Sequence, residues 1–265
     1  MSDTGTDTVL LERHGALTWL ILNRPSSLNS MNEEMATGIQ RGLESVINDR
    51  ACRCLGITGT GRAFCSGQAL PDTDTADPLP PDIATLIRTR YVPIVSRIRS
   101  LSVPVVAAIN GPAVGAGFSL ALAADLRIAA RGAWFSTGFA QLGLAPDSGA
   151  TFFLTRYLGY PMALELYLTG RRLSALEAAR AHLVTSTFPT DSFSGDAEDF
   201  CLNLAQGPTR AFALGKRSFV AALNSTLEEQ LELEAVLQQD ASETQDFHEG
   251  LRAFKEKRAP HFEGN

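Results

Sequence analysis

Two glycine-rich turns in the sequence could supply backbone N–H groups to an anionic ligand. The segment 59–67 (GTGRAFCSG) follows one short apolar run, and the segment 110–117 (NGPAVGAG) follows another and opens a predicted helix. Glycine lets a ligand approach the backbone closely, and the first N–H groups of a helix have no partner within it. Two such donors that converge on one point would form an oxyanion hole, although each segment alone is better explained as an ordinary turn that needs glycine.

A third segment, 141–151 (QLGLAPDSGAT), places Asp147 directly after a proline and before a predicted helix. One interpretation is that this aspartate caps the helix, which the context suits well. The other is that its carboxylate acts as a general acid or base. The spacing alone favours the cap.

The composition restricts the classes of protein to consider. The chain has 265 residues, a net charge of −6 and 45% apolar residues, which is typical of one large globular domain or a domain with an appendage. The absence of a basic cluster argues against nucleic acid, and no apolar run is long enough for a membrane span. We therefore expect a cytoplasmic protein, with four unpaired cysteines and no metal site.

Strands that alternate with helices through the first half predict an α/β fold. Predicted strands cover 9–13, 17–22, 52–58, 103–109, 126–130 and 133–135, and predicted helices cover 32–48, 83–100 and 113–124. The proline- and aspartate-rich stretch 70–82 predicts a surface loop. Further predicted helices cover 152–158, 161–169, 174–181, 196–206, 208–223 and 226–257, so we divide the chain into a core, 1–200, and a helical region, 201–265.

Several segments, in this order, resemble the crotonase superfamily of enoyl-CoA hydratases and isomerases. They are 20–32 (LILNRPSSLNSMN), 57–70 (ITGTGRAFCSGQAL), 104–130 (PVVAAINGPAVGAGFSLALAADLRIAA), 142–159 (LGLAPDSGATFFLTRYLG) and 247–262 (FHEGLRAFKEKRAPHF). The resemblance implies a ββα spiral with a C-terminal helical region that mediates trimerisation, as a homotrimer or a hexamer. It also implies an acyl-CoA substrate and no separate cofactor.

The resemblance further implies roles for individual residues. The backbone N–H groups of Ser66 and Ala116 fall on the family's two oxyanion donors, and Asp147 falls on a catalytic carboxylate of some members. Ala116 stands where a glycine is common, and Ala69 where an aspartate is common. The implied substrate-binding residues are Arg24, Ser66, Gly67, Gln68, Ala69, Ala116, Phe254 and Lys257, the last two reaching the CoA of a neighbouring subunit.

The sequence departs from the hydratases of the family at both of their catalytic glutamates. Ser119 and Phe139 stand in those places, and neither can deprotonate water unaided. Asp147 stands where the epoxyphenylacetyl-CoA isomerases and 4-chlorobenzoyl-CoA dehalogenase carry an aspartate, and the apolar Phe139 could raise its pKa.

These departures favour an isomerase that moves a double bond through an oxyanion-stabilised enolate. Three alternatives stay open. The first is a hydratase that uses Asp147 with water, and the second is a catalytically silent acyl-CoA binder. The third is a dehalogenase-like hydrolase, which would need an aromatic pocket from residues such as Phe118, Trp134, Phe135 and Phe139.

Overall fold

A mainly parallel sheet lies at the centre of the computed structural model, which describes residues 7–70 and 82–265. The strands of the described residues are β1 (Val9–His14), β2 (Leu17–Leu22), β3 (Cys54–Gly59), β4 (Val105–Ile109), β5 (Ala113–Val114), β6 (Leu126–Ala130), β7 (Trp134–Ser136), β8 (Leu173–Ser174) and β9 (Ser186–Phe188). The larger sheet has the order β1-β2-β3-β4-β6-β9, in which β1 and β2 are antiparallel and every other pair is parallel. A smaller sheet, β5-β7-β8, lies beside it.

Helices cover the sheet and make up most of the C-terminal half. They are α1 (Glu33–Asn48), α2 (Ile83–Leu86), α3 (Val92–Ser100), α4 (Ala116–Ala123), α5 (Ala150–Thr169), α6 (Ala175–Arg180), α7 (Phe193–Ala205), α8 (Thr209–Ala221), α9 (Leu227–Ser242) and α10 (Gln245–Glu256). A π-helical turn, Ile87–Tyr91, joins α2 to α3. Single 3-10 turns occupy Pro25–Ser27 and Ala140–Leu142.

The amino-acid pattern explains why α4 lies at the centre of the molecule. Every residue of β4 is buried, as expected for a parallel strand covered on both faces. Every residue of α4 (AGFSLALA) is buried as well, because its small and apolar side chains leave no polar face to expose. The N-terminus of α4 is therefore held inside the protein, where its unpaired N–H groups can act on a ligand.

Two of the predicted helices differ from the structure for identifiable reasons. The helix predicted at 113–124 begins at Ala116, because residues 113–114 pair with β7. The helix predicted at 226–257 is two helices, because the Thr244 side chain accepts the Phe247 N–H and caps a new one. Residues 200 and 201 both lie within α7, and the division of the chain there stays a prediction.

The predicted loop at 70–82 falls almost wholly on residues 71–81, outside the described residues. The predicted break between the helices at 152–158 and 161–169 is confirmed, since α5 has a non-helical residue, Gly159, with φ of 73°. No helix within 7–70 and 82–265 is long and apolar enough to cross a membrane.

The packing of β2 against β3 predicts that Gly56→Ala destabilises the protein. Gly56 pairs with Trp19, and a Cβ atom at Gly56 would lie 2.3 Å from Cζ3 of the buried indole. Overpacking of this kind costs about 1–3 kcal/mol of the free energy of unfolding, which urea denaturation measures. Gly195→Ala is the control, since a Cβ atom on the exposed Gly195 of α7 would have no described atom within 4 Å. Equal effects of the two substitutions would contradict the prediction.

Candidate active site

The turn at residues 65–69 is held by hydrogen bonds on two sides. Cys65 forms a parallel bridge to Ala113 of β5, with the Val114 N–H donating to Cys65 O at 2.9 Å. On the other side, the Ser66 N–H donates to Leu28 O at 3.0 Å. The prediction that Ser66 supplies an oxyanion donor is therefore wrong, because this N–H is already used by the fold.

Gln68 supplies the available N–H of this turn instead. The Met31 N–H donates to Gly67 O at 2.7 Å, and the Ala69 N–H donates to Met31 O at 2.9 Å. In a parallel pairing of this kind, the N–H of the middle residue points away from the partner strand. The Gln68 N–H thus faces the β5 side and has no hydrogen-bond acceptor among the described residues.

Gly67 makes this change of direction possible and brings the turn against α4. Its φ of +99° lies in a region that residues other than glycine rarely adopt. A Cβ atom there would lie 2.9 Å from Val114 O and 3.6 Å from the Ala116 nitrogen. The Gln68 N–H and the start of α4 are consequently close neighbours.

Ala116 is the first residue of α4, and its N–H has no acceptor within the described part of the chain. The preceding Gly115 has φ of 54° and donates its own N–H to Ser136 O at 3.1 Å. Close packing fixes the helix here, because a Cβ atom on Gly117 would lie 2.5 Å from Cys65 O. The Ala116 N–H also carries the positive end of the α4 dipole, which favours an anionic ligand.

Asp147 is anchored to the first turn of α4 through a buried hydroxyl. The Ser119 Oγ, at one of the positions where the resemblance predicts a hydratase glutamate, lies 3.2 Å from Asp147 O and 3.3 Å from Gly115 O. Gly149, not Asp147, occupies the N-cap position of α5, so the capping interpretation of Asp147 is wrong. The backbone of Asp147 is therefore held against the helix that carries the Ala116 N–H.

The surroundings of the Asp147 carboxylate shift its acidity in two directions. Partial burial raises the pKa of Asp147 above the usual value, and the larger effect is this loss of hydration. The Ser148 hydroxyl donates to Asp147 Oδ1 at 2.8 Å and lowers the pKa in part. Ser148 itself has φ of 54°, a strained conformation for a residue with a side chain, and such strain clusters at functional sites.

Other groups near the turn are unsuited to catalysis. Burial raises the pKa of the Cys65 thiol to about 12, so it stays protonated and is a poor nucleophile. Phe139, at the second position where the resemblance predicts a glutamate, is buried. Of the aromatic residues considered for an acyl pocket, Phe118 and Phe135 pack against each other in the core, with ring centroids 5.1 Å apart.

The predicted CoA-binding residues lie in different parts of the chain. Arg24 is half-buried near the turn, and its guanidinium contacts the Ser30 carbonyl and hydroxyl oxygens. Phe254 is 84% exposed on α10, and the exposed Lys257 ends that helix. Among the described residues, no hydrogen bond or ion pair joins these two side chains to the turn, and their predicted role in a neighbouring subunit stays a prediction.

Tyr91 is a residue of the site that the sequence analysis missed. Its buried hydroxyl donates to the side-chain oxygen of Gln68. The helical pattern at 83–100 does not reveal this contact, because a π-helical turn changes the direction of Tyr91. Pro93, within that pattern, is the only sequence signal of the irregularity.

Comparison with known proteins gives the family of the chain. The family model described as enoyl-CoA hydratase/isomerase matches residues 12–265. The chain belongs to the enoyl-CoA hydratase/isomerase family. Family membership confirms the prediction that the chain belongs to the crotonase superfamily. It also confirms the predicted crotonase fold, with its helical C-terminal region.

Relatives in this family are named as hydratases and as an isomerase. The chain is 40% identical to a protein of Rhodobacter capsulatus named "Probable enoyl-CoA hydratase", covering 97% of this chain and 98% of that protein. It is also 40% identical to the 1,2-epoxyphenylacetyl-CoA isomerase of Escherichia coli K12, covering 94% and 95%. A crystal structure of an enoyl-CoA hydratase from Polaromonas superposes with a TM-score of 0.90 at 30% identity, covering 96% and 99%.

The raised pKa of Asp147 predicts that Asp147→Asn stabilises the fold at neutral pH. A carboxyl whose folded pKa lies above its unfolded pKa stabilises the protein only while protonated, and this contribution is lost as the pH rises through the folded pKa. A neutral amide avoids that loss, so the melting temperature of the variant should exceed that of the wild type at neutral pH. The difference should shrink as the pH falls through the raised, folded-state pKa of Asp147.

Asp199→Asn is the matched control, because Asp199 is an exposed aspartate of α7. It should leave the melting temperature nearly unchanged across the same pH range. A melting temperature of Asp147→Asn below that of the wild type at neutral pH would contradict the prediction.

Proposed function

We propose that the protein isomerises the double bond of an enoyl-CoA thioester between the β,γ and α,β positions. The Gln68 and Ala116 N–H groups bind the thioester oxygen, and Asp147 carries the proton. The observations behind this proposal are the half-buried Asp147, whose backbone Ser119 ties to α4, and two backbone N–H groups that have no acceptor among residues 7–70 and 82–265. The E. coli relative is named as an isomerase of a different CoA thioester, 1,2-epoxyphenylacetyl-CoA, and supports an isomerisation rather than a hydration.

The proposed reaction needs only one proton carrier. The Asp147 carboxylate removes a proton from the α-carbon, and the C–H electron pair forms a dienolate whose negative charge rests on the thioester oxygen. The same carboxyl group returns the proton to the γ-carbon, so the double bond moves and no atom is gained or lost. The two N–H groups stabilise the oxyanion without being titratable themselves.

Hydration of an enoyl-CoA is the second candidate, favoured by the name of the R. capsulatus relative. Hydration requires a base that activates water and an acid that protonates the α-carbon. Ser119 and Phe139 provide neither, so Asp147 would have to serve both steps. A dehalogenase-like hydrolase is less well supported, since Phe118 and Phe135 pack into the core.

We further propose that the acyl-CoA lies between two copies of the chain within a homotrimer or hexamer. Arg24, Gly67 and Ala69 would contact CoA in one copy, and Phe254 and Lys257 would contact it from the next. Large apolar side chains exposed on the C-terminal helices suit such an assembly: Phe219, Leu227, Leu231 and Phe254.

Asp147→Asn should reduce isomerisation of a β,γ-enoyl-CoA by about 10²–10⁴-fold, because the amide cannot accept the α-proton. Conversion to the conjugated α,β-enoyl thioester is followed by its ultraviolet absorbance. Asp199→Asn should keep wild-type activity. Full activity of Asp147→Asn would refute the assignment, and tight binding without turnover by the wild type would favour the silent binder.

Removal of one oxyanion donor should slow the same reaction while the fold is kept. Proline is tolerated at the first position of a helix, where its missing N–H has no helical partner. Ala116→Pro deletes the donor and also places the proline Cδ atom where the N–H points, so kcat should fall by at least about 10²-fold. Ala116→Gly retains the N–H and should stay within a few-fold of the wild type. Equal kcat values for the two variants would exclude the Ala116 N–H from catalysis.

A further inference from the structure

The segment that carries Tyr91 contains an irregular helical turn, which is held by hydrogen bonds from a neighbouring helix. Val92 donates its N–H to Ile87 O, five residues back, and Pro93 has no N–H to offer to Thr89 O. The Gln40 side chain of α1 donates to Thr89 O and to Arg90 O, both at 3.1 Å. The shape of this turn is thus fixed by α1, and single π-helical turns are frequent at functional sites.

The turn directs Tyr91 at the side chain of Gln68. The phenol is 4% exposed and donates its O–H to Gln68 Oε1, while Gln68 Nε2 donates to Ala69 O at 3.0 Å. The Gln68 carboxamide is therefore held at both ends. Burial raises the pKa of Tyr91, with Cys65 and Asp147 adding to the effect, so the phenol stays a neutral donor close to the Asp147 carboxylate.

We propose that Tyr91 is a positioning residue that holds the Gln68 N–H in line with the thioester oxygen, acting through the Gln68 carboxamide. This inference rests on the proposed function, because the Gln68 N–H is one of its two oxyanion donors. Oxyanion stabilisation depends on donors that are already aligned before charge develops. Loss of the hydrogen bond between Tyr91 and Gln68 should thus raise the energy of the transition state more than it weakens ground-state binding of the substrate.

A double-mutant cycle tests whether the hydroxyl acts through Gln68. Tyr91→Phe removes one neutral hydrogen bond and should lower kcat by about 3- to 10-fold, with KM changed less than about twofold. Gln68→Met removes the acceptor and keeps the backbone N–H, and Tyr91→Phe should cost less than about twofold in that background. Equal costs of Tyr91→Phe in both backgrounds, or none in either, would overturn the proposal.

A spectroscopic measurement tests the role of the Tyr91–Gln68 hydrogen bond without turnover. The absorbance of a cinnamoyl-CoA with an electron-donating ring substituent shifts to longer wavelength when hydrogen bonds polarise its thioester carbonyl. At saturating ligand, this shift should be smaller in Tyr91→Phe than in wild type. Tyr160→Phe is the control, since Tyr160 is 66% exposed and its hydroxyl has no hydrogen bond among the described residues, and it should preserve the shift.

The two measurements separate failure of the inference from failure of the proposed function. A wild type that shifts the spectrum without isomerising any enoyl-CoA would refute the function, and the Tyr91→Phe shift would still decide the role of Tyr91. An unchanged shift in Tyr91→Phe would overturn the inference whatever the activity. If Tyr91→Phe fails to fold, Gln68→Met alone should reproduce the reduced shift, and a full shift in that variant would overturn the inference.

Discussion

The close approach of α4 to the turn at 65–69 is the constraint on which the proposed site depends. Gly117 allows it, since any side chain there would collide with Cys65, and the bridge between Cys65 and Ala113 sets its register. The fully buried, small-residue composition of α4 is the consequence. A helix that started even one residue later would carry its first N–H away from Gln68.

The acid of the site is placed by the same helix. Ser119, at a position where the family resemblance predicts a hydratase glutamate, holds the Asp147 backbone against the first turn of α4. The serine hydroxyl therefore helps to fix the backbone that carries the proposed acid. The Asp147 carboxylate is partly desolvated, which suits a group that must accept and return a proton but works against stability at neutral pH.

Much of this arrangement could be predicted from the sequence. The strands and helices around the two glycine-rich turns, and the roles proposed for Ala116 and Asp147, follow from glycine spacing and family resemblance. The sequence did not show that the Ser66 N–H is used by the fold and that the Gln68 N–H is the available one, because Gly67 changes the side to which successive N–H groups point. That change follows from the pairing with Met31, a contact between residues distant in sequence. Tyr91 was missed for a similar reason, since its direction depends on Gln40 of another helix.

A crystal structure with a bound, unreactive saturated acyl-CoA tests the central claim most directly. The proposed mechanism predicts that the thioester oxygen lies about 2.7–3.1 Å from both the Gln68 and the Ala116 nitrogens. It also predicts that an Asp147 carboxylate oxygen faces the α- and γ-carbons. A thioester oxygen bound elsewhere, or an Asp147 carboxylate turned away from the acyl chain, would contradict it.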